Sequence, residues 1–457
     1  MRNIIQQISV EFINKITEYF GNSNINIEDM EKELLVEAKA CTAKLSAAYI
    51  EEIDLAILAD KKGRKKAGFV VERRGDERQI QTKIGEIAFK RTYYCNKSRD
   101  EYAYLADQVV GIEGYSRVSS GLGLSLVSAA RDMSYQKACN HITEGQISRQ
   151  TVMHKIRESE AEEEIYTTEK RQVKNLHIDA DEAHITLCGG RKSIVPLISV
   201  YEGIERKGKR GECKSVFHIS EYGKSPDELW EQALTEIEQR YKLDGTTIYL
   251  HGDGGNWIKT GTQWIPNAIF VLDKYHKNKA IKEMTAGLEK NVRKAYDKEI
   301  REALFIGETR FFKELTQSIA LELPERKDKI EKSAKYLNKF MHGISICNTD
   351  SEANNGGATE PHISHVLASR LSSRPMAWSK NTLKQLAPIL ASGSEIRLKK
   401  PIIQQQLPLH RNAARAASKA FLCRGTVGMP LPDSVGTLSA LSGGKITPLL
   451  KALKAFN

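Results

Sequence analysis

Apolar residues recur every three or four positions over residues 1–68, which predicts a helical N-terminal region. The stripe stops at the polar residues 21–24 and resumes beyond them: Ile5, Ile8, Phe12 and Ile16, then Leu34, Leu35, Ala38 and Leu45. A basic cluster at residues 61–66 follows. We interpret this cluster as a solvated linker, with a contact to a phosphate backbone as the alternative.

Between residues 69 and 94 the apolar period changes to two, on both sides of Gly85. This is the period of a half-buried strand, and it predicts a small antiparallel β region over residues 69–112. We expect the outward face of this region to be basic, through four side chains: Arg78, Lys83, Lys90 and Arg91.

Residues 113–165 return to a helical pattern, with a short helix, a turn that contains Gly145 and a second helix from Ser148. Ser148 is suited to cap that helix, and Val152 and Ile156 form its inner face at a spacing of four. The outward positions carry side chains that can read bases or contact phosphates: Arg149, Gln150, His154 and Arg157. The arrangement is typical of a helix-turn-helix module that binds DNA, and a plain helical connector is the alternative.

Strand and helix patterns are mixed over residues 173–380. The strand patterns are 173–187, 194–201, 216–220, 246–250 and 268–272, with a helix pattern at 226–241. This succession predicts an α/β core in which helices pack on a mixed sheet. A charged helical insertion at 276–345 interrupts the core, and a polar break at 346–360 precedes a helix at 361–374. The basic C-terminal region 381–457 is irregular, apart from a helix at 410–422 that aligns three cations: Arg411, Arg415 and Lys419.

Length and charge narrow the class of protein. The chain has 457 residues, and 69 basic against 58 acidic side chains give a formal charge of +11. This length predicts two to four domains, and the positive charge favours a polyanionic partner, because neutralised phosphates release counterions. The seven cysteines form no C-x-x-C pair, which is typical of reduced thiols. With no apolar run near the ~20 residues of a membrane span and no signal peptide, we expect an intracellular protein without a membrane partner.

Acidic residues interrupt the apolar strand pattern at residues 176–185. Period two places Asp179 and Asp181 on one face of the strand and Glu182 on the other. Burying such acids is costly unless a cation or a hydrogen-bond partner compensates them. We interpret the segment as a strand that supplies a metal ligand, with an edge strand whose polar face meets water as the alternative.

Two further acids stand at the ends of predicted elements. Asp253 follows a strand and precedes two glycines, which let backbone or substrate approach closely. Glu360 opens a helix whose dipole favours the ionised carboxylate, although Asp350 and Glu352 are rivals for this role. Two arginines further along that helix are candidates for phosphate contacts: Arg370 and Arg374. Three carboxylates suit two Mg²⁺ or Mn²⁺ ions, which together promote phosphodiester cleavage.

In combination, five segments of the chain resemble the ISLre-type bacterial insertion-sequence transposases, a group related to the Mutator-like transposases. The segments are 85–94, 177–185, 248–257, 270–279 and 362–379. The resemblance implies an RNase H-like catalytic core with an Asp-Asp-Glu triad and a helical insertion between the second Asp and the Glu. It implies these site residues: Asp181 (with Asp179 as the alternative), Asp253 and Glu360 as triad and metal ligands, and His276 as a contact to a phosphate or to a metal-binding carboxylate. The likeness fades after residue 379.

The resemblance also implies a function. We expect a DNA transposase that binds terminal inverted repeats, cleaves the element ends with Mg²⁺ or Mn²⁺ and joins them to target DNA. Such an enzyme would act as a homo-oligomer, at least a dimer, in the bacterial cytoplasm and associated with the nucleoid. The alternatives are a catalytically inactive, transposase-derived DNA-binding protein and a metal-dependent nuclease without strand transfer. The intact set of three acids favours the enzyme over its inactive relative.

Overall fold

The chain is organised as two compact units, one formed by residues 1–122 and 402–457 and the other by residues 123–401. The computed structural model describes residues 4–21, 26–161, 169–208, 210–393, 396–399 and 408–425. The final part of the predicted helix-turn-helix region and most of the C-terminal region therefore lie outside the described residues.

The helices are α1 (Ile4–Phe20), α2 (Ile27–Ala59), α3 (Lys61–Lys66), α4 (Leu105–Val110), α5 (Ser120–Asp132), α6 (Tyr135–Thr143), α7 (Arg149–Arg157), α8 (Pro226–Arg240), α9 (Asn256–Trp264), α10 (Lys274–Thr285), α11 (Lys290–Ile306), α12 (Thr309–Glu322), α13 (Lys327–Lys339), α14 (Met341–Thr349), α15 (Thr359–His362), α16 (Ser369–Leu371), α17 (Lys380–Ala391) and α18 (Pro408–Gly425). The strands are β1 (Val70–Thr82), β2 (Gly85–Asn96), β3 (Glu101–Ala103), β4 (Ser159–Ala161), β5 (Arg171–Gln172), β6 (Asn175–Thr186), β7 (Lys192–Tyr201), β8 (Ile204–Lys207), β9 (Arg210–Cys213), β10 (Phe217–Ile219), β11 (Tyr241–Lys242), β12 (Thr247–Gly252), β13 (Ala268–Leu272) and β14 (Ile396–Leu398). Residues 324–326 and 351–354 form 3₁₀ turns, and residues 363–368 form a π-helix between α15 and α16. Among the described residues, no helix has both the length and the apolar run that crossing a bilayer requires.

The first unit confirms the predicted N-terminal helices and the antiparallel hairpin. β1 and β2 pair around a two-residue turn, with Thr82 opposite Gly85, and β3 extends the sheet. The basic cluster at 61–66 forms helix α3 instead of a linker, because Arg64 turns inward and donates to the carbonyl groups of Ile57 and Leu58.

The prediction that Arg91 lies on the exposed basic face is wrong. Arg91 is 7% exposed, forms a buried ion pair with Asp107 and lies over the ring of Tyr104. An arginine at an inward strand position is tolerated here because helix α4 supplies a carboxylate. Such a partner cannot be read from the alternation of residues within the strand.

Helix α18 belongs to the first unit and confirms the predicted C-terminal helix. Leu409, Ala413 and Ala417 are buried in the same core as residues of α2. The three aligned cations at 411, 415 and 419 are exposed, as the spacing of four predicts.

The second unit contains a five-stranded mixed sheet in the order β10-β7-β6-β12-β13. The first three strands are antiparallel neighbours, and β12 and β13 run parallel to β6. Helix α8 lies between β10 and β12 in the chain and begins with a capping box between Ser225 and Glu228, with Pro226 in its first turn. The predicted mixed α/β class is confirmed.

The two faces of this sheet differ in chemistry because successive side chains alternate between them. One face is apolar and packs on α8 and α9 through residues such as Leu176, Ile178, Ile248 and Leu250, and α8 contributes the wholly buried Trp230. The opposite face carries buried polar rings and a carboxylate: His177, Asp179, Tyr201, Tyr249 and His251. A buried polar face requires partners, and these define the candidate site.

The segment predicted as a helical insertion is helical, and α10 to α14 share their own apolar core. The predicted irregular segment after residue 380 is wrong, since α17 is a helix. Leu383, Leu386 and Ala387 are buried at helical spacing, and the internal Pro388 does not end the helix. The helix predicted at 361–374 ends earlier, at Leu371, whose carbonyl accepts a hydrogen bond from the indole of Trp378.

Candidate active site

Parallel pairing aligns the predicted first and second acids. Asp179 on β6 lies opposite His251 on β12. Asp181 continues β6 two residues beyond this last pair, Asp253 directly follows β12, and the charge of Asp253 acts on Asp181. Two adjacent strands therefore bring these acids, which are far apart in the sequence, to the same end of the sheet.

A third carboxylate follows the next strand. Gly252 on β12 lies opposite Leu272 on β13, so Asp253 and Asp273 both come directly after the carboxyl ends of neighbouring strands. The sequence predicted a site residue in this segment only at His276, and Asp273 was not among the predicted acids. Its position directly after a strand, like that of Asp253, was the available signal.

Electrostatics show that these acids are close enough to influence one another. The pKa of Asp181 is raised to about 6, mainly by burial and also by the charges of Asp253 and Asp273. A hydrogen bond from the Glu182 amide, at 2.8 Å, and the charge of His276 act in the opposite direction. The site therefore concentrates negative charge, which the His276 imidazole and the Glu182 amide partly offset at Asp181.

The backbone around Asp253 is fixed by close packing. Asp253 Oδ1 accepts a hydrogen bond from the Gly255 amide at 2.8 Å, and its carbonyl accepts one from the Tyr336 hydroxyl at 2.9 Å. Gly254 has a φ of +80°, and a Cβ there would lie 2.2 Å from the ring of Phe340. Only glycine fits this turn, so helix α13 and its neighbours set the position of the carboxylate.

Asp273 and His276 form a short unit at the start of α10. Asp273 Oδ2 accepts hydrogen bonds from the amides of Tyr275 and His276 and lies 3.3 Å from His276 Nδ1. Burial alone would raise the pKa of Asp273, but the bonds from His276 lower it overall. The pKa of His276 is raised, first by its bond to Asp273 and also by the charges of Asp253 and Asp181.

Glu360 is exposed, and no described contact joins it to the other acids. The hydroxyl of its neighbour Thr359 is buried and faces Asp273, whose pKa it helps to lower, although it has no partner in strict hydrogen-bond geometry. The π-helix begins three residues after Glu360. Such departures from α-helical hydrogen bonding often occur at functional sites.

The loop that precedes Glu360 is fastened to the polar face of the sheet. Lys274 Nζ donates to the carbonyls of Asn354 and Gly356 at 2.7 and 2.9 Å. The Gly357 amide donates to the Tyr201 hydroxyl at 2.9 Å. These contacts bring the chain segment that carries Glu360 to the sheet edge where the other carboxylates lie.

Asp179 has a different environment from Asp181. It is 2% exposed, and both of its oxygens accept from the Tyr201 hydroxyl, at 3.0 and 3.1 Å. His362 Nδ1 lies 3.1 Å from Asp179 Oδ2, an ion-pair distance without hydrogen-bond alignment. Of the two alternatives for the first acid, Asp181 has a described electrostatic interaction with Asp253.

Apart from His276, the predicted DNA-binding residues are either exposed or engaged by the protein itself. Arg149, Gln150 and His154 are exposed on α7, which Ser148 caps through the Thr151 amide. Arg374 is also exposed, in the loop after α16.

Two arginines of the predicted set contact the protein itself. Arg157 donates to the hydroxyls of Thr382 and Ser379 and is partly buried. Arg370 is 7% exposed, donates to the carbonyl of Ala130 and lies against the ring of Trp378. In this arrangement the guanidinium of Arg370 faces the interior of the second unit, so it is not available to a phosphate.

Oxygen donors suit Mg²⁺ or Mn²⁺, and the site supplies them from Asp181, Asp253 and Asp273. Among the described residues, however, no group of three or more His, Cys, Asp or Glu side chains is arranged closely enough to hold a metal ion. The fit is therefore one of donor type and charge, and it does not extend to a closed coordination sphere.

Comparison with known proteins identifies the family. Residues 21–400 match the model of an uncharacterised protein family, UPF0236. UPF0236 protein TTE2489 of Caldanaerobacter subterraneus subsp. tengcongensis is 33% identical over 472 residues, which cover 100% of this chain and 98% of the relative.

Two further relatives extend the comparison. Another protein of the same organism is 33% identical over 470 residues, covering 99% of this chain and 97% of the relative, and its name joins eleven locus labels, from TTE0033 to TTE2212. A protein of Streptococcus gallolyticus, named for the vanSb 3′ region, is 24% identical over 288 residues, covering 59% of this chain and 62% of the relative. The match over most of its length and these identities show that the chain belongs to the UPF0236 family.

Proposed function

We propose that this protein is a DNA transposase of an insertion sequence, which cleaves phosphodiester bonds at the element ends and joins them to target DNA. The observation that carries the proposal is that the charge of Asp253, which directly follows β12, acts on Asp181, which lies on the neighbouring strand β6. Two adjacent carboxylates on neighbouring strands are what metal-assisted phosphodiester chemistry needs from a protein. Glu360 is the third acid of the proposed triad.

The strand arrangement supports an RNase H-like core. Along the chain, the antiparallel strands β6, β7 and β10 are followed by β12 and β13, which run parallel to β6. In space the order is β10-β7-β6-β12-β13. The helical segment α10 to α14 separates Asp253 from Glu360 in the chain, as the proposed insertion requires.

The relatives add support of another kind. One relative's name joins eleven locus labels of a single organism, and two others join four and two labels. A gene that copies itself within a chromosome is expected at several loci that encode nearly the same protein. Most metabolic or structural genes are not repeated in this way. The basic charge of +11 is consistent with DNA as the partner.

Asp181 and Asp253 would hold Mg²⁺ or Mn²⁺, with Glu360 as a further ligand when DNA is bound. The ion would supply charge stabilisation for the phosphodiester transition state. The protein's own contribution is positional: Gly255 and Tyr336 fix Asp253, and the Glu182 amide orients Asp181. With Nδ1 engaged by Asp273, His276 can present Nε2 to an anionic phosphate.

The proposal is tested by incubating the full chain with DNA that carries the ends of its own element. We expect nicked and joined products with Mg²⁺ or Mn²⁺ and none with Ca²⁺, whose looser coordination misplaces the attacking oxygen. If correct ends are bound but never cut, the inactive DNA-binding alternative takes the place of the enzyme. Cleavage without joining would identify a nuclease.

The exposed side chains on α7 lead to a separate prediction about DNA recognition. Arg149→Ala should weaken binding to the element ends by about 1–3 kcal/mol if Arg149 pairs with a guanine. Binding to unrelated DNA should change little, which a competition gel-shift assay measures.

The matched control is Arg310→Ala, since Arg310 is an exposed helical arginine on α12 with a side chain that is 88% accessible. An equal loss on all sequences would make Arg149 a phosphate contact. No loss would leave α7 with a structural role.

A further inference from the structure

We propose that Asp179 is a positioning residue, which holds the segment bearing Glu360 against the sheet through Tyr201 and His362. This inference rests on the proposed function, because it assigns Asp179 a place in the same site. It also removes Asp179 from the candidate metal ligands.

The first support is the way Asp179 is used within the fold. Its carboxylate is 2% exposed, and the Tyr201 hydroxyl donates to both of its oxygens. Burial and the charge of Asp179 raise the pKa of Tyr201, so the phenol keeps its proton and stays a donor. The carboxylate is thus oriented by one shared donor and is closed to the solvent from which an ion would enter.

The second support is that the same hydroxyl reaches the loop before Glu360. The Gly357 amide donates to the Tyr201 oxygen at 2.9 Å, three residues before Glu360. A chain of two hydrogen bonds therefore runs from Asp179 through Tyr201 to the backbone of the loop. Polar chains of this kind define one geometry when every member is satisfied.

The third support lies on the other side of Glu360. His362 comes two residues after Glu360, and its Nδ1 is 3.1 Å from Asp179 Oδ2. Its ring also packs edge-on against Tyr201, with 5.5 Å between ring centroids. One buried carboxylate thus reaches the chain both before and after Glu360, while Glu360 itself is exposed.

Neighbouring imidazoles make the loop contact tight. His177 and His251 form a stacked pair joined by a 3.2 Å contact between Nδ1 and Nε2. A Cβ on Gly356 would lie 2.3 Å from His251 Nε2 and 2.5 Å from His177 Nδ1. Burial lowers the pKa of His177 to about 4, so this ring packs as a neutral surface at neutral pH. The loop has no room to move inward, and the Asp179 contacts keep it from moving outward.

The test compares amide hydrogen exchange and cleavage in four variants of the full chain. Tyr201→Phe removes one hydroxyl and keeps the ring, so it should fold even if Asp179→Ala does not. We expect exchange at residues 354–362 to become at least about tenfold faster in Tyr201→Phe and in Asp179→Ala. Asp179→Asn keeps an oxygen acceptor and should restore most of the protection.

The control is Tyr296→Phe, which removes an exposed hydroxyl that donates to Glu322 in the same unit and should leave this exchange unchanged. In cleavage assays, Tyr201→Phe should lower kcat about tenfold or more and leave KM for end DNA unchanged, because Glu360 is misplaced only after binding. Unchanged exchange at 354–362 in both Tyr201→Phe and Asp179→Ala would overturn the positioning role. A wild-type protein that never cleaves would instead reject the proposed function, and the exchange result would still decide the role of Asp179.

Discussion

Asp253→Asn should abolish DNA cleavage while leaving binding to the element ends nearly intact. The substitution keeps the size and the acceptor for the Gly255 amide but removes the charge that would hold the divalent ion. Loss of several kcal/mol of charge stabilisation corresponds to a fall in rate of roughly a thousandfold or more. Binding should persist because it rests on exposed cations such as Arg149, which do not contact the ion. Gel-shift and single-turnover cleavage assays on the same DNA measure the two effects.

The matched control for this experiment is Asp328→Asn, which changes an exposed carboxylate on α13. It should cleave at the wild-type rate. Equal cleavage by wild type and Asp253→Asn would reject the proposed triad. Equal inertness of both on correct ends, with Mn²⁺ present, would leave a DNA-binding protein of transposase ancestry.

Asp181→Asn should make the metal-free protein more stable at neutral pH, although it should also abolish cleavage. The pKa of Asp181 is raised from 3.8 to about 6, so ionising this group costs folding free energy. A full shift of that size corresponds to about 3 kcal/mol, and the partial exposure of the side chain reduces our expectation to about 1–2 kcal/mol. Sites that concentrate like charges commonly show this exchange of stability for function.

The sign of the effect fixes its pH dependence. A raised carboxyl pKa means that the folded protein binds more protons than the unfolded chain between about pH 4 and pH 6. The wild-type protein therefore loses stability from this group as pH rises through that window, and the whole penalty is present above it. The gain from Asn should be near zero at about pH 4 and largest above about pH 7.

Urea unfolding in EDTA at several pH values measures this gain, with Asp328→Asn as the neutral control. Added Mn²⁺ should stabilise the wild type more than the variant, because ligand binding to the folded state adds to its stability. A gain that is the same at every pH, or no gain at all, would contradict the assigned electrostatics of the site.

Local patterns in the sequence predicted most of the secondary structure. The period of two located the hairpin of β1 and β2 and the core strands, and the helical period located α1, α2, α7 and the insertion. These features depend on residues a few positions apart, whose side chains must share a face of one element. Asp253 was found for the same reason, since it directly follows a strand and precedes two glycines.

Tertiary structure decided which of these elements and residues meet. Asp181 and Asp179 are equivalent in a strand of period two, and only the tertiary arrangement brings Asp181 within range of the charge of Asp253. Asp273 joined the site through the register of β13, although its sequence context drew attention only to His276.

The same limit explains the misplaced arginines. Arginine is a residue type usually found at the surface. Arg91 and Arg370 are buried because partners on other elements, Asp107 and the Ala130 carbonyl, accept their hydrogen bonds or balance their charge. Alternation along a strand or helix records which face a residue occupies, but it holds no information on what covers that face. What covers a face is determined by contacts between segments far apart in the chain, such as the contact between Asp179 and His362.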